Sequence, residues 1–180
     1  MKKPMAAILL AASLFFLLGC SGNQTRKVDI SGYLDAKWGM SRSEIKNLVK
    51  LHQDSETDNT LIYNDKIGTD NVTRIYMFDN NDKLLAVMIV FEVVPDDEKT
   101  FRNKFLTTYN NLSLKYGDAD SYVDEDLGKR GLSAQWDFKS SVILFQLQIK
   151  RPFNKLALGL MYLNKAYARE YMKSKPLDKY

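Results

Sequence analysis

The sequence predicts an α+β fold, a two-layer domain of helices packed on an antiparallel sheet, over residues 33–165. Two helical periodicities occur, one starting near residue 42 and one near residue 97, and each is followed by a group of strand-like runs. Those runs are short and end in turn residues, which favours hairpins over parallel crossovers. The doubling of helix and strands predicts two similar α-β-β-β halves, at about 33–95 and 96–165.

The stretch from Trp38 to Lys50 carries the start of the first helix. Ser41 stands at its N-cap with Glu44 three residues on, a reciprocal capping box. Ile45, Leu48 and Val49 then fall on one face. His52 to Asn59 is polar and reads as loop. Three strands follow at Thr60–Tyr63, Val72–Phe78 and Leu84–Val94, the last two joined by Asp79-Asn80-Asn81-Asp82, strong turn chemistry. In the third strand Leu85, Val87, Ile89, Phe91 and Val93 share one face, and Leu84, Ala86, Met88 and Val90 the other. Both faces are apolar, so both should be covered.

Pro95 ends that strand, and Asp96 is the expected N-cap of a second helix. Phe101, Phe105, Tyr109, Leu112 and Tyr116 recur at helical spacing and form its core stripe; Gly117 is the expected stop. Strand-like runs return at Ser121–Val123, Leu132–Phe138, Val142–Lys150 and Leu156–Leu163, with Lys139-Ser140-Ser141 as a tight connection. The tail, 166–180, predicts a short last helix to about Lys173 that frays past Pro176. Trp38 is expected in the core.

The chain opens with Lys2 and Lys3, then an uncharged run from Ala6 to Leu18 that is too short to span a bilayer. It has the proportions of a secretory signal. The run ends Leu17-Leu18-Gly19-Cys20, and Cys20 is the only cysteine, so the chain can form no internal disulfide. LLGC resembles the lipobox of bacterial lipoproteins. The resemblance implies cleavage after residue 19, diacylglycerol on the Cys20 thiol and acylation of the new amine. Residues 1–19 are then a signal peptide, and 20–32 a lipidated flexible tether of small polar residues. Two or three acyl chains hold a protein at a membrane stably; one does so only marginally. Lys2 and Lys3 leave with the signal, so the 26 Lys+Arg fall to 24 against 22 Asp+Glu. The mature body is near neutral and carries no basic stripe that would suggest nucleic acid.

Trp38, Gly39, Met40, Ser41, Glu44 and Ile45, with Tyr116 and Gly117 at a later helix end, resemble a broad group of exported bacterial domains opening W-G-[MT]-S-x-x-E-[VI]. In plan the chain is also similar to BamE-like lipoproteins and to β-lactamase inhibitor proteins. Each matched residue has a structural task, so the resemblance implies a fold and transfers no functional residue.

No catalytic constellation emerges. His52 is the only histidine and lies in a polar stretch. The acidic run Asp118, Asp120, Asp124, Glu125, Asp126 fails the calcium-loop template: the sixth position is Val123 and the twelfth Lys129. No phosphate-cradling glycine loop is found. The expected function is therefore non-enzymatic, with no cofactor or metal: a lipid-anchored envelope protein that uses its sheet surface or edge to meet another envelope protein. Two alternatives remain. One is a hydrolase of envelope polymers using carboxylates such as Asp120, Asp124 and Asp137; the other is a small-ligand or inhibitor-type module. Tyr162, Tyr167 and Tyr171 are read as a tyrosine-rich rim for a partner. Ser21 lacks the acidic character of an inner-membrane retention signal. That predicts outer-membrane residence facing the periplasm in a two-membrane source, and the outer face of the plasma membrane otherwise.

Overall fold

Cap chemistry sets both helices. In the computed structural model, which describes residues 29–93, 97–126, 131–150 and 155–166, α1 runs Arg42–Leu48. The Ser41 side chain accepts from the Glu44 backbone N–H, and Glu44 Oε2 accepts from the Ser41 N–H at 2.7 Å. The longer α2 runs Glu98–Tyr116. Its N-cap is Asp97 and not Asp96, because Asp97 lies three residues before Thr100, whose N–H it accepts at 2.9 Å. Gly117 ends the helix at φ +80°, a conformation open to glycine.

Among the described residues ten strands form: β1 Gly32–Tyr33, β2 Ala36–Lys37, β3 Gln53–Thr57, β4 Thr60–Ile67, β5 Asp70–Phe78, β6 Leu84–Phe91, β7 Ser121–Asp124, β8 Leu132–Asp137, β9 Ser141–Lys150 and β10 Lys155–Asn164. β1 and β2 make a small hairpin; the other eight form one antiparallel sheet in the order β3-β4-β5-β6-β10-β9-β8-β7. Each helix is followed by four strands, and the two sets meet at the β6–β10 seam.

This corrects the expected fold class. The chain is not a two-layer α+β domain of α-β-β-β halves; it is a strand-rich protein dominated by one eight-stranded antiparallel sheet, with two helices among the described residues. The polar stretch read as loop supplies β3. Its side chains are largely exposed, so no alternation marks it, and backbone pairing with β4 defines it. The tether read as 20–32 also gives way at its end. Asp29 accepts the Ser140 N–H at 2.9 Å and its hydroxyl at 2.7 Å, and Gly32 belongs to β1. The signal segment, residues 1–19, and Cys20 lie outside the described residues.

The sheet has two apolar faces. On one, the rows Leu61-Tyr76-Val87-Tyr162-Ile143-Trp136 and Tyr63-Arg74-Ile89-Leu160-Phe145-Ala134 run across the strands. Tyr33, Ala36, Ile45, Phe101, Phe105 and Leu112 pack onto them and complete the core. On the opposite face run Met77-Ala86-Leu163-Val142 and Ile62-Ile75-Met88-Met161-Leu144. The expected parity of β6 holds only in part. A register shift between Met77 and Phe78 leaves Leu85 as a bulge, so Leu84 joins the core with Val87 and Ile89.

Trp38 is half-buried rather than part of the deep core; its indole Nε1 donates to Ser141 Oγ at 2.8 Å. Trp136 is the fully buried tryptophan, and its Nε1 donates to the Gly117 carbonyl at 2.8 Å.

Candidate interaction surface

The carboxylates expected to gather for hydrolysis serve as structural ties. Asp120 Oδ2 accepts the Asp137 backbone N–H at 2.6 Å. Asp137 in turn accepts from Gln135 Nε2 at 2.6 Å and pairs with Lys165 Nζ at 2.7 Å. Asp124 lies at the other end of β7 from Asp120, about 13 Å away at strand rise. There it pairs with Arg102 Nη1 of α2 at 3.1 Å. Asp120 and Asp137 are thus brought together and Asp124 is not. His52 is exposed beside β3. Among the described residues no group of three or more His, Cys, Asp or Glu is placed to hold a metal ion.

The predicted tyrosine rim is also corrected. Tyr162 is buried, its ring 4.8 Å from that of Tyr33. Burial, reinforced by Tyr116 and Tyr33, pushes its hydroxyl above the ordinary value of 10.0. Tyr167 and Tyr171 lie outside the described residues.

A different aromatic surface appears where α2 meets β7. Phe105 stacks on Phe145 with centroids 4.6 Å apart, deep in the core. Tyr109 lies 5.7 Å from Trp136 and 5.0 Å from Tyr122. Tyr122 is the outer member, 42 % exposed on the last strand of the sheet. Partial burial, with Asp124 and Tyr109 beside it, raises its hydroxyl above 10.0, so the ring keeps its proton at neutral pH. On α2, Leu106 is also 42 % exposed, and it sits between Arg102 and Tyr109, both of which contact β7 residues. Arg102 bridges Glu98 at 2.8 Å and Asp124, so a charged rim borders the apolar pair.

The two sheet edges differ. β3 carries a bulge between Gln53 and Ser55 and a dense charge cover: Glu56 pairs with Lys46 at 2.7 Å and with Arg42 at 3.0 Å. These are devices that block edge pairing. Among the described residues β7 is paired with another strand on one side only, has no register shift, and carries the half-exposed Tyr122. Sequence reasoning found the strand but not this surface, because Tyr109 and Tyr122 meet only through the tertiary packing of α2.

No protein-family model matches the sequence, and neither a curated protein nor a solved structure matches it significantly.

A shallow cleft of about 820 Å³ lies elsewhere, across the ends of β4, β5 and β6. Its lining mixes Asn64, Lys66, Asn71, Thr73 and Glu92 with Val90 and Phe91. It is not the enclosed apolar pocket that a small-ligand module would need. Its Asp65 is committed to Arg74. Among the described residues no helix is long and apolar enough to cross a membrane.

Proposed function

We propose that the protein is a lipid-anchored, non-enzymatic binding module of the bacterial envelope that docks another envelope protein along β7. The observation that carries the docking site is the exposure of Tyr122 on the edge strand β7, with the equally exposed Leu106 on the helix that packs against it. An extended segment of the partner adds to β7 through main-chain hydrogen bonds, and an apolar side chain of that segment seats against Leu106 and Tyr122. A central apolar anchor with a polar rim, here Arg102, Glu98 and Asp124, is how such interfaces are built. Support for a non-enzymatic role is that Asp137 and Asp124 are engaged by Lys165 and Arg102. The anchor rests on the LLGC sequence ending in Cys20. Intact envelopes treated with a crosslinker, carrying the tagged wild-type chain, should return the same partner repeatedly. Leu106→Asp and Tyr122→Asp should each lose it. Repeated recovery of no protein, or equal recovery with both variants, contradicts the proposal.

A further inference from the structure

The two most exposed large hydrophobics among the described residues are Leu114, 88 % exposed on α2, and Leu34, 72 % exposed at the turn of the β1–β2 hairpin. Leu34 carries a conformational cost as well. Tyr33 and Ala36 pair across the hairpin, so Leu34 and Asp35 form a two-residue turn, and Leu34 has φ +53°. That is the left-handed region, disfavoured for a residue with a Cβ, at the turn position where such hairpins take glycine. The surroundings leave the turn little freedom. A side chain at Gly32 would collide with the Ala36 carbonyl, Tyr33 and Ala36 are buried, and the Trp38 N–H donates to the Ser31 carbonyl at 3.0 Å. Strain of this kind collects at sites held out for contact.

The hairpin and the last turn of α2 are neighbours. The Tyr33 ring lies 4.8 Å from that of Tyr162, and Tyr116 stands beside the same Tyr162 hydroxyl. Leu114 lies on the side of α2 opposite the buried Leu112, and Leu34 stands out from the buried Tyr33 and Ala36, so both leucines point away from the core. Each has an exposed lysine close by. Lys115 follows Leu114, and Lys37, paired with Gly32, projects from the outer side of the hairpin. Asp35 is the one acid in these two segments. Exposed leucines flanked by lysines suit the boundary between lipid headgroups and acyl chains, where the apolar side chains sink and the ammonium groups stay among phosphates. The chain also brings lipid within reach. Nine residue steps separate Cys20 from Asp29, which is fastened to Ser140, so the point where the chain enters the body is at most about 30 Å from Cys20.

We propose that Leu34 and Leu114 rest in the surface of the bilayer that holds the Cys20 acyl chains, with Lys37 and Lys115 on lipid phosphates. The inference rests on the lipoprotein reading of Cys20. The contact is with lipid and not with protein. It turns the helix layer toward the membrane and so fixes the orientation in which the body meets a partner, which lowers the entropic cost of that encounter.

Cys20 is the only native cysteine, and on this reading lipid occupies it, so Leu34→Cys, Leu114→Cys and Ile67→Cys each present a single free thiol to a fluorescent label. The full lipoprotein, labelled at one of these positions, is reconstituted in vesicles of phosphatidylethanolamine and phosphatidylglycerol that contain nitroxide-bearing lipid. Quenching several-fold deeper at 34 and 114 than at 67, at the end of β4, is expected. Equal quenching at all three positions, or none at 34 and 114 with one label per chain, overturns the proposal alone. Two labels per chain show that Cys20 carries no lipid, and overturn the anchor reading and the proposal with it. Leu34→Gly should raise the thermal midpoint by a few degrees, because glycine takes the turn conformation without strain. An unchanged or lower midpoint overturns the proposal by removing the strain that singles out Leu34.

Discussion

The indole N–H of Trp38 and the hydroxyl of Ser141 meet at 2.8 Å across 103 residues of chain. Ser141 is fully buried, and its hydroxyl is also hydrogen-bonded to the Ile30 carbonyl. One serine at the start of β9 thus fastens the segment that enters the domain. Ser141→Ala leaves the indole N–H and the Ile30 carbonyl without this partner and should cost about 1–3 kcal/mol. Trp136→Ala, at a fully buried position, should cost roughly 3–5 kcal/mol, and Trp38→Ala less, since that ring is only half-buried. Urea unfolding of the three variants checks the ranking; an unchanged midpoint for Ser141→Ala contradicts the role of the fastening.

A second prediction concerns charge inside the sheet. Arg74 lies in a core-face row, its guanidinium paired with Asp65 and 5.2 Å from the Tyr33 ring. Its Nε has no hydrogen-bond partner among the described residues. Asp65→Asn should strand a buried cation and cost roughly 3–5 kcal/mol. Replacing both residues, Arg74→Met with Asp65→Leu, should recover most of that loss, because an apolar pair removes the desolvation problem altogether. A double variant no more stable than Asp65→Asn would show that the pair itself is needed.

Acid should weaken the helix starts. The Thr100 side chain and backbone N–H hold Asp97 below its ordinary value of 3.8, and the Ser41 side chain and N–H hold Glu44 below 4.5. A carboxylate with a depressed folded pKa adds stability above the unfolded value, and that stability is lost as pH falls through the folded one. Stability should therefore decline as pH drops below about 4.5. Asp97→Asn keeps a capping side chain but cannot ionise, so its urea midpoint should fall less steeply over the same range. Parallel pH profiles for wild type and variant contradict this assignment.

The cap of the first helix was the most legible part of the fold, whereas that of the second was read one residue early, at Asp96 instead of Asp97. Ser41 with Glu44 is a local pattern, and so are the Phe101-Phe105-Leu112 stripe and the Gly117 stop; each follows from residues within a few positions of one another. β3 was not legible, because a largely exposed edge strand has no apolar period and exists through its pairing with β4. Misreading Gln53–Thr57 as loop hid one strand, and the short β1–β2 hairpin was hidden for a similar reason. The bulge at Leu85 is likewise a product of pairing: alternation alone puts Leu84 with Met88, whereas the register puts it in the core. The candidate site was the least legible element. Tyr162 reads like a rim residue but lies in a central strand, while Tyr122 reads like an ordinary strand residue and proves exposed at the edge.

Anchoring has its own test. Cys20→Ala should abolish incorporation of a radioactive fatty acid, and uncut precursor or a soluble form should accumulate. Label entering wild type and Cys20→Ala equally, or entering neither, contradicts the lipoprotein reading. This result is separable from docking, since the β7 surface does not depend on the lipid.

The most direct test of the binding-module account is site-specific photocrosslinking in living cells. A photoreactive residue is placed in turn at Leu106 and Tyr122, and at Leu34 and Ile67, which are exposed hydrophobics in the other half of the chain. The account predicts one discrete adduct, the same protein, from positions 106 and 122, and none from 34 and 67. Adducts spread equally over all four positions, or found only at 34 and 67, would contradict docking along β7.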